Sequence, residues 1–223
     1  MKITKLGIGG HGLVGLYILP MNNAVLVGPE ISEDLYPELE RIFGVPVIML
    51  TIAGTGLLGV FCATNGDILA VPSIIFSHEE DALKAAGLNY HKISGSLTCL
   101  GNNIVVTKSG MLVNPAYDQD ALDALVQAFS VPVKTYSLED IPTIGSFIAH
   151  NSRSALISHD FDDDQIAELE EFLGLKITTG TINMGSTQVR SGIAVNDNGM
   201  IIGELSGGPE VVNADEAFRQ DME

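Results

Sequence analysis

A turn signal recurs along this chain at an almost fixed interval. In the stretch Leu57–Pro72, apolar runs flank Asn65-Gly66, a pair suited to the positive φ angles of a type I′ hairpin turn. Counterparts stand at Asn22-Asn23, Ser109-Gly110, Arg153-Ser154 and Asn198-Gly199, so successive turns lie 43, 44, 44 and 45 residues apart. Five copies at one period imply a repeat architecture. A second anchor keeps the same step. Gly44-Val45-Pro46-Val47 is answered by Gly87-Leu88-Asn89-Tyr90, Ser130-Val131-Pro132-Val133 and Gly174-Leu175-Lys176-Ile177, with starts 43, 43 and 44 residues apart.

Each unit reads strand, turn, strand, loop, helix, short strand. In the first, strands over Leu16–Leu19 and Ala24–Val27 flank the turn. Ser32 then offers an N-cap, Leu35, Leu39, Ile42 and Phe43 follow at helical spacing, and Gly44 ends the helix. Leu122, Leu125, Val126 and Phe129 mark the third helix; Ile166, Leu169 and Leu173 mark the fourth. The second helix is weaker, around Glu79–Ala86. The fifth shrinks to a turn or two around Ala214–Phe218, after a Gly-Gly-Pro loop at 207–209.

The fifth unit lacks its closing extended segment, and the N-terminus has one to spare. Lys5-Leu6-Gly7-Ile8-Gly9-Gly10 matches Met49-Leu50-Thr51-Ile52-Ala53-Gly54 at a distance of 44 residues. The first residues are therefore expected to complete the last unit and close a ring, which would protect sheet edges. The glycines Gly54, Gly56, Gly101, Gly145 and Gly185 would recur on one side of it. The fold class is α/β: a five-fold pseudo-symmetric propeller of about 44-residue repeats, forming one domain over 1–223.

With 46% hydrophobic residues the chain can bury a large core, and no run approaches the roughly 20 apolar residues of a membrane span. Leu13–Leu19 reads as a strand rather than an export signal, because a turn follows it and no small-residue cleavage site is evident. A soluble, cytoplasmic protein is expected. Its 28 acidic against 11 scattered basic side chains, net −17, oppose docking by phosphate neutralisation; a basic protein is the better-matched partner. The acid runs Asp160–Asp164 and Glu168–Glu171 read as a helix start and a solvated helix face rather than a calcium loop. Cys62 and Cys99 have no metal-ligand spacing and read as reduced core thiols. No metal or cofactor is expected.

Several stretches resemble the translation initiation factor 6 family, within the pentein fold of five βαβ-type units. They are Val45-Pro46-Val47 running to Thr51-Ile52-Ala53-Gly54, Leu69-Ala70-Val71-Pro72, Leu97-Thr98-Cys99-Leu100-Gly101-Asn102 and Leu112-Val113-Asn114-Pro115. Ile144-Gly145-Ser146-Phe147, Gly180-Thr181-Ile182-Asn183-Met184-Gly185-Ser186 and Gly192-Ile193-Ala194-Val195-Asn196-Asp197 complete the set, which spans nearly the whole chain. The resemblance implies binding to the subunit-joining face of the large ribosomal subunit, mainly through ribosomal proteins, with little nucleic-acid contact and the small subunit excluded sterically. It also implies a monomer whose contact surface lies at one end of the ring. Carried over by position, Asn102 is the first contact residue, with Val14, Val60, Phe147 and Gln188 beside it.

Two other functions compete. Pentein relatives include guanidino-modifying enzymes with an activated cysteine, a histidine and carboxylates. Here the last unit has no cysteine, and His78 with Glu79 and Glu80, His150 and His159 are the only candidate bases, read as surface or core residues. No catalysis is expected. The second competitor is a ring that holds a ligand in its central channel.

Overall fold

The computed structural model describes residues 2–219; Met1 and 220–223, the ends of the 1–223 span read as one domain, lie outside them. Strand β1 (Lys2–Leu6) precedes the first unit, which runs α1 (Val14–Tyr17), β2 (Ile18–Pro20), β3 (Val25–Val27), α2 (Tyr36–Phe43) and β4 (Val47–Met49). The second repeats the order as α3 (Leu58–Phe61), β5 (Ala63–Thr64), β6 (Leu69–Pro72), α4 (Ser77–Ala85) and β7 (Tyr90–Ile93). The third runs α5 (Leu100–Asn103), β8 (Ile104–Val106), β9 (Met111–Val113), α6 (Gln119–Phe129) and β10 (Val133–Thr135). In the last two units a 3-10 turn replaces the short helix. Ile144–Phe147 leads into β11 (Ile148–His150), β12 (Ser154–Ser158), α7 (Asp163–Leu173) and β13 (Lys176–Gly180). Val189–Gly192 leads into β14 (Ile193–Val195), β15 (Gly199–Gly203) and α8 (Gly208–Arg219).

The strands form five separate three-stranded sheets. In each of the first four, a hairpin gives an antiparallel pair and the long helix crosses over to a parallel third strand, as in β2-β3-β4. In the fifth, the parallel third strand is β1, which lies along β15 in register from Lys2↔Gly199 to Leu6↔Gly203. The N-terminal segment completes the last unit, as its likeness to the segment before Gly54 predicted.

The core is shared between neighbours. Each of five buried clusters joins the hairpin of one unit to the hairpin and helix of the next. Thus Leu19, Met21 and Leu26 of the first unit pack with Leu58, Leu69, Val71 and Leu83 of the second. Val25, Val27, Leu39 and Phe43 of the first unit in turn pack with Ala194 and Ile201 of the fifth. No unit can bury its apolar face alone, which is why the sequence must repeat.

Three local readings are corrected. The short segments Val14–Tyr17 and Leu58–Phe61, read within extended runs, are single helical turns, and the inner strands behind them are only two or three residues long. The hairpin turns are not type I′: Asn65 and Asn198 have no positive φ, and among the turn pairs only Gly66 (φ 94°) does. The loops hold four residues, beginning at Met21, Asn65, Thr107, Asn151 and Asn196. In four of the five the first side chain closes the loop. Oδ1 of Asn65, for example, accepts the N–H groups of Asp67 and Ile68, and Oδ1 of Asn151 those of Arg153 and Ser154. An Asx turn of this kind removes the need for left-handed backbone. Finally, α8 is a helix of 12 residues that begins at Gly208, with Pro209 tolerated in the first turn and Glu210 accepting the N–H of Gly207.

The second anchor has one physical meaning. Gly44 (φ 73°), Gly87 (φ 65°), Ser130 (φ 55°) and Gly174 (φ 65°) are the left-handed residues that stop the long helices.

Candidate functional site

The short helical segments that start each unit pack on one another in cyclic order: α1 on α3, α3 on α5, α5 on Ile144–Phe147, that turn on Val189–Gly192, and the last on α1. Their second residues make the contact. A Cβ on Gly59 would lie 1.9 Å from the Gly15 carbonyl oxygen, one on Gly101 2.0 Å from that of Gly59, and one on Gly145 2.1 Å from that of Gly101. Only glycine lets these backbones approach so closely. The fifth member breaks the series, because Arg190 occupies the position of the glycines.

This ring of starts places the five expected contact residues at non-equivalent positions. Val60 and Asn102 are both third in their segments and half-buried. Gln188, just ahead of its 3-10 turn, is exposed. Val14 and Phe147 are core residues, 0% and 4% exposed, with no side-chain surface to offer. In their units Leu16 and Ser146, both half-buried, stand at the position matching Asn102. Neighbouring asparagines also separate in role. Asn103 is buried, donating to the Cys99 carbonyl and accepting from Nδ2 of Asn114, whereas Asn102 makes no side-chain hydrogen bond among the described residues.

Tight turns precede the starts, bridged at Ile8–His11, Ile52–Thr55, Leu138–Ile141 and Ile182–Ser186. Two are clamped by a glutamate that the sequence pattern did not single out for this role. Glu79, 1% exposed, accepts the N–H groups of Ala53, Gly54 and Phe76. Glu210 accepts those of Met184, Gly185 and Gly207 and the Thr181 hydroxyl. In both, burial alone would raise the carboxyl pKa, but the converging donors together hold it below the usual value. Glutamate three residues after a helix start was the available signal. Beside the second clamp, Met184 is 82% exposed at φ 66°, held outward by its bonded backbone.

The candidate bases have structural partners. Glu79 is the clamp; Glu80 pairs with Lys84 and Lys92, and His78 stacks on Phe76 at 5.7 Å. His159 lies 3.8 Å from Asp160 on the surface. Burial pushes the Cys62 thiol up to about 12, against a smaller opposing pull from Arg190; Cys99 is only half-buried, so the core-thiol reading holds for Cys62 alone. Asp162 caps α7 by accepting the N–H of Gln165, with Asp163 and Asp164 in its first turn, so the acid run is a helix start.

At the hairpin ends, a cavity of about 60 Å³ lies between the inner strands of units one, two, four and five. His150, Asn151, Asn22, Asn196 and Asp197 line it with Arg190. Burial lowers the His150 pKa to about 4; the Asn151 carbonyl, 3.1 Å from Nδ1, opposes this and Arg190 adds to it. The imidazole is therefore neutral at pH 7.

Comparison with known proteins gives the family. The sequence pattern of the eIF-6 family matches residues 3–217. Translation initiation factor 6 of Pyrobaculum aerophilum is 28% identical over 210 residues, covering 94% of this chain and 96% of that one. The protein of the same name from Natronomonas pharaonis is 31% identical over 217 residues, covering 97% and 98%. Among solved structures, a dimethylarginine dimethylaminohydrolase adduct with S-methyl-L-thiocitrulline superposes with a TM-score of 0.55 at 11% identity, covering 79% of this chain and 69% of that one. The N-terminal domain of the cyanobacterial arginine dihydrolase ArgZ gives 0.53 at 11% identity, with coverages of 85% and 72%. At such identities the likeness concerns the fold alone, and that fold is the pentein one.

Proposed function

The chain belongs to the eIF-6 family, and from that premise we propose that it is a cytoplasmic anti-association factor of the large ribosomal subunit. It docks as a monomer on the subunit-joining face, mainly through ribosomal proteins, and keeps the small subunit away by occupying that face. The observation that carries this reading is the family match across residues 3–217, which takes in all five units. The acidic balance supports a basic protein partner over bare phosphate. An unengaged, half-buried Asn102 amide beside an engaged Asn103 supports the first as a contact group.

Action of this kind needs no catalytic step. A bound factor competes with the small subunit by mass action, and a separate event must release it. A guanidino-modifying enzyme is the weaker reading, because attack needs a thiolate and the Cys62 thiol is held protonated by burial.

Sedimentation tests the proposal. Purified protein is mixed with archaeal large subunits, then with small subunits and magnesium. Co-migration with the large subunit and loss of joined ribosomes are expected. Normal joining, with the protein left at the top of the gradient, would overturn it.

A further inference from the structure

Arg190 stands where the other short segments carry Gly15, Gly59, Gly101 and Gly145. Its backbone still makes the tight contact, since a Cβ on Gly15 would lie 1.9 Å from the Arg190 carbonyl oxygen. Its side chain has no counterpart in the other units and lines the cavity at the hairpin ends. Among the described residues it has no ion-pair partner, and its buried Nε has no hydrogen-bond acceptor.

A guanidinium keeps its charge in proteins and presents N–H donors in a planar fork. Leaving its buried Nε–H without an acceptor is costly. Burial lowers its pKa to about 10, still well above neutrality. Among the described residues, nothing in the lining offers the missing negative charge. His150 is neutral at pH 7, and burial keeps the nearby Cys62 thiol protonated. Asp197, the one carboxylate of the lining, is turned to the fourth hairpin: Oδ1 accepts the Ser152 N–H at 3.0 Å and Oδ2 the Ser152 hydroxyl at 2.6 Å. A further carboxylate just outside the lining, Asp67, is engaged by Asn22 and Lys108.

We propose that the cavity is a binding site for a small oxyanion, a carboxylate or a phosphate, held by the Arg190 guanidinium between the inner strands. The volume of about 60 Å³, which takes several water-sized probes, admits a compact anion. The fork favours two parallel N–H···O bonds to one ligand. Neither Asn102 nor any other residue expected to contact the ribosome lines this cavity, so either assignment can fail without the other.

Nitrogen-15 NMR of the intact protein tests it. The Arg190 Nε–H resonance, identified by its disappearance in Arg190→Gln, is followed during titration with inorganic phosphate and, separately, with acetate, against sodium chloride at constant ionic strength and pH. A saturable shift with either anion, absent with chloride, is expected, and the arm that responds identifies the class. Arg190→Lys keeps the charge but not the fork, and its affinity should fall by roughly tenfold. That comparison also serves if the glutamine variant fails to fold, with the resonance then assigned by arginine-selective labelling. No saturable shift with either anion would overturn the proposal, as would equal shifts with chloride.

Discussion

Glu79 Oε1 accepts the N–H of Gly54 at 2.8 Å, so a helix residue of the second unit fixes the turn that opens it. The same carboxylate satisfies Ala53 and Phe76, and Ala53 is held at φ 53°, where a residue with a Cβ is strained. Replacing Glu79 by Ala leaves three part-buried backbone donors without this acceptor. The expected loss is about 3 kcal/mol at neutral pH, read by urea unfolding.

Acid should erase part of that contribution. The folded pKa of Glu79 lies below its unfolded value, so its stabilisation is complete above about pH 4.3 and is lost as pH falls through the folded value. The stability gap between wild type and Glu79→Gln should narrow as pH is lowered from neutrality through that range. A gap that stays constant in acid would show that the carboxylate charge is not what secures the turn.

Gly101→Ala should be far more damaging than Gly208→Ala. The first Cβ would sit 2.0 Å from the Gly59 carbonyl oxygen, a backbone atom that cannot swing aside, whereas nothing lies within 4 Å of the second. We expect a loss of more than about 3 kcal/mol for Gly101→Ala and a change within about 1 kcal/mol for Gly208→Ala. Thermal unfolding of the pair is the check.

Ser130 is the only one of the four helix stops that is not glycine. Ser130→Gly should relieve left-handed strain at an exposed site and stabilise the protein by about 1 kcal/mol, after the entropic cost of glycine. No gain in unfolding midpoint would mean that the strain is absorbed elsewhere.

The hairpin loops offer a graded comparison. Oδ1 of Asn65 closes only its own loop, whereas Asn196 closes its loop and also donates to the carbonyls of Phe43 and Met21 in the first unit. Asn65→Ala should cost about 1 kcal/mol and Asn196→Ala about twice that. Equal losses would show that the contact between the fifth and first units contributes nothing.

The sequence made the repeat legible because turn residues and helix stops have strong local chemistry. Gly44 stops its helix in the structure as read, and the likeness around Ile8 and Ile52 foretold the pairing of β1 with β15. What stayed hidden depends on partners far along the chain. Val14 and Leu58 look like strand residues by their apolarity, and only the glycine contacts with neighbouring units wind them into single turns. Val126 has the spacing of a core residue yet is 45% exposed; Ala121 and Ala128 face inward instead, because the helix packs close to the sheet and small side chains fit there. The solitary Arg190 could not be recognised as departing from a glycine series until the short segments were aligned in space.

The closing strand sets an order of events. Lys2 pairs with Gly199, about 200 residues later, and all five registered pairs of β1 lie on β15. At synthesis rates of roughly 5–20 residues per second, β1 exists for roughly 10–40 s before its partner has been made. The last sheet is therefore assembled from segments about 200 residues apart, a contact of high loop-closure cost. Four sheets can form as the chain emerges, but the fifth is completed only once β15 has been made. A nascent chain stalled before Gly199 carries β1 without its partner strand, an open edge of the kind that invites non-native pairing.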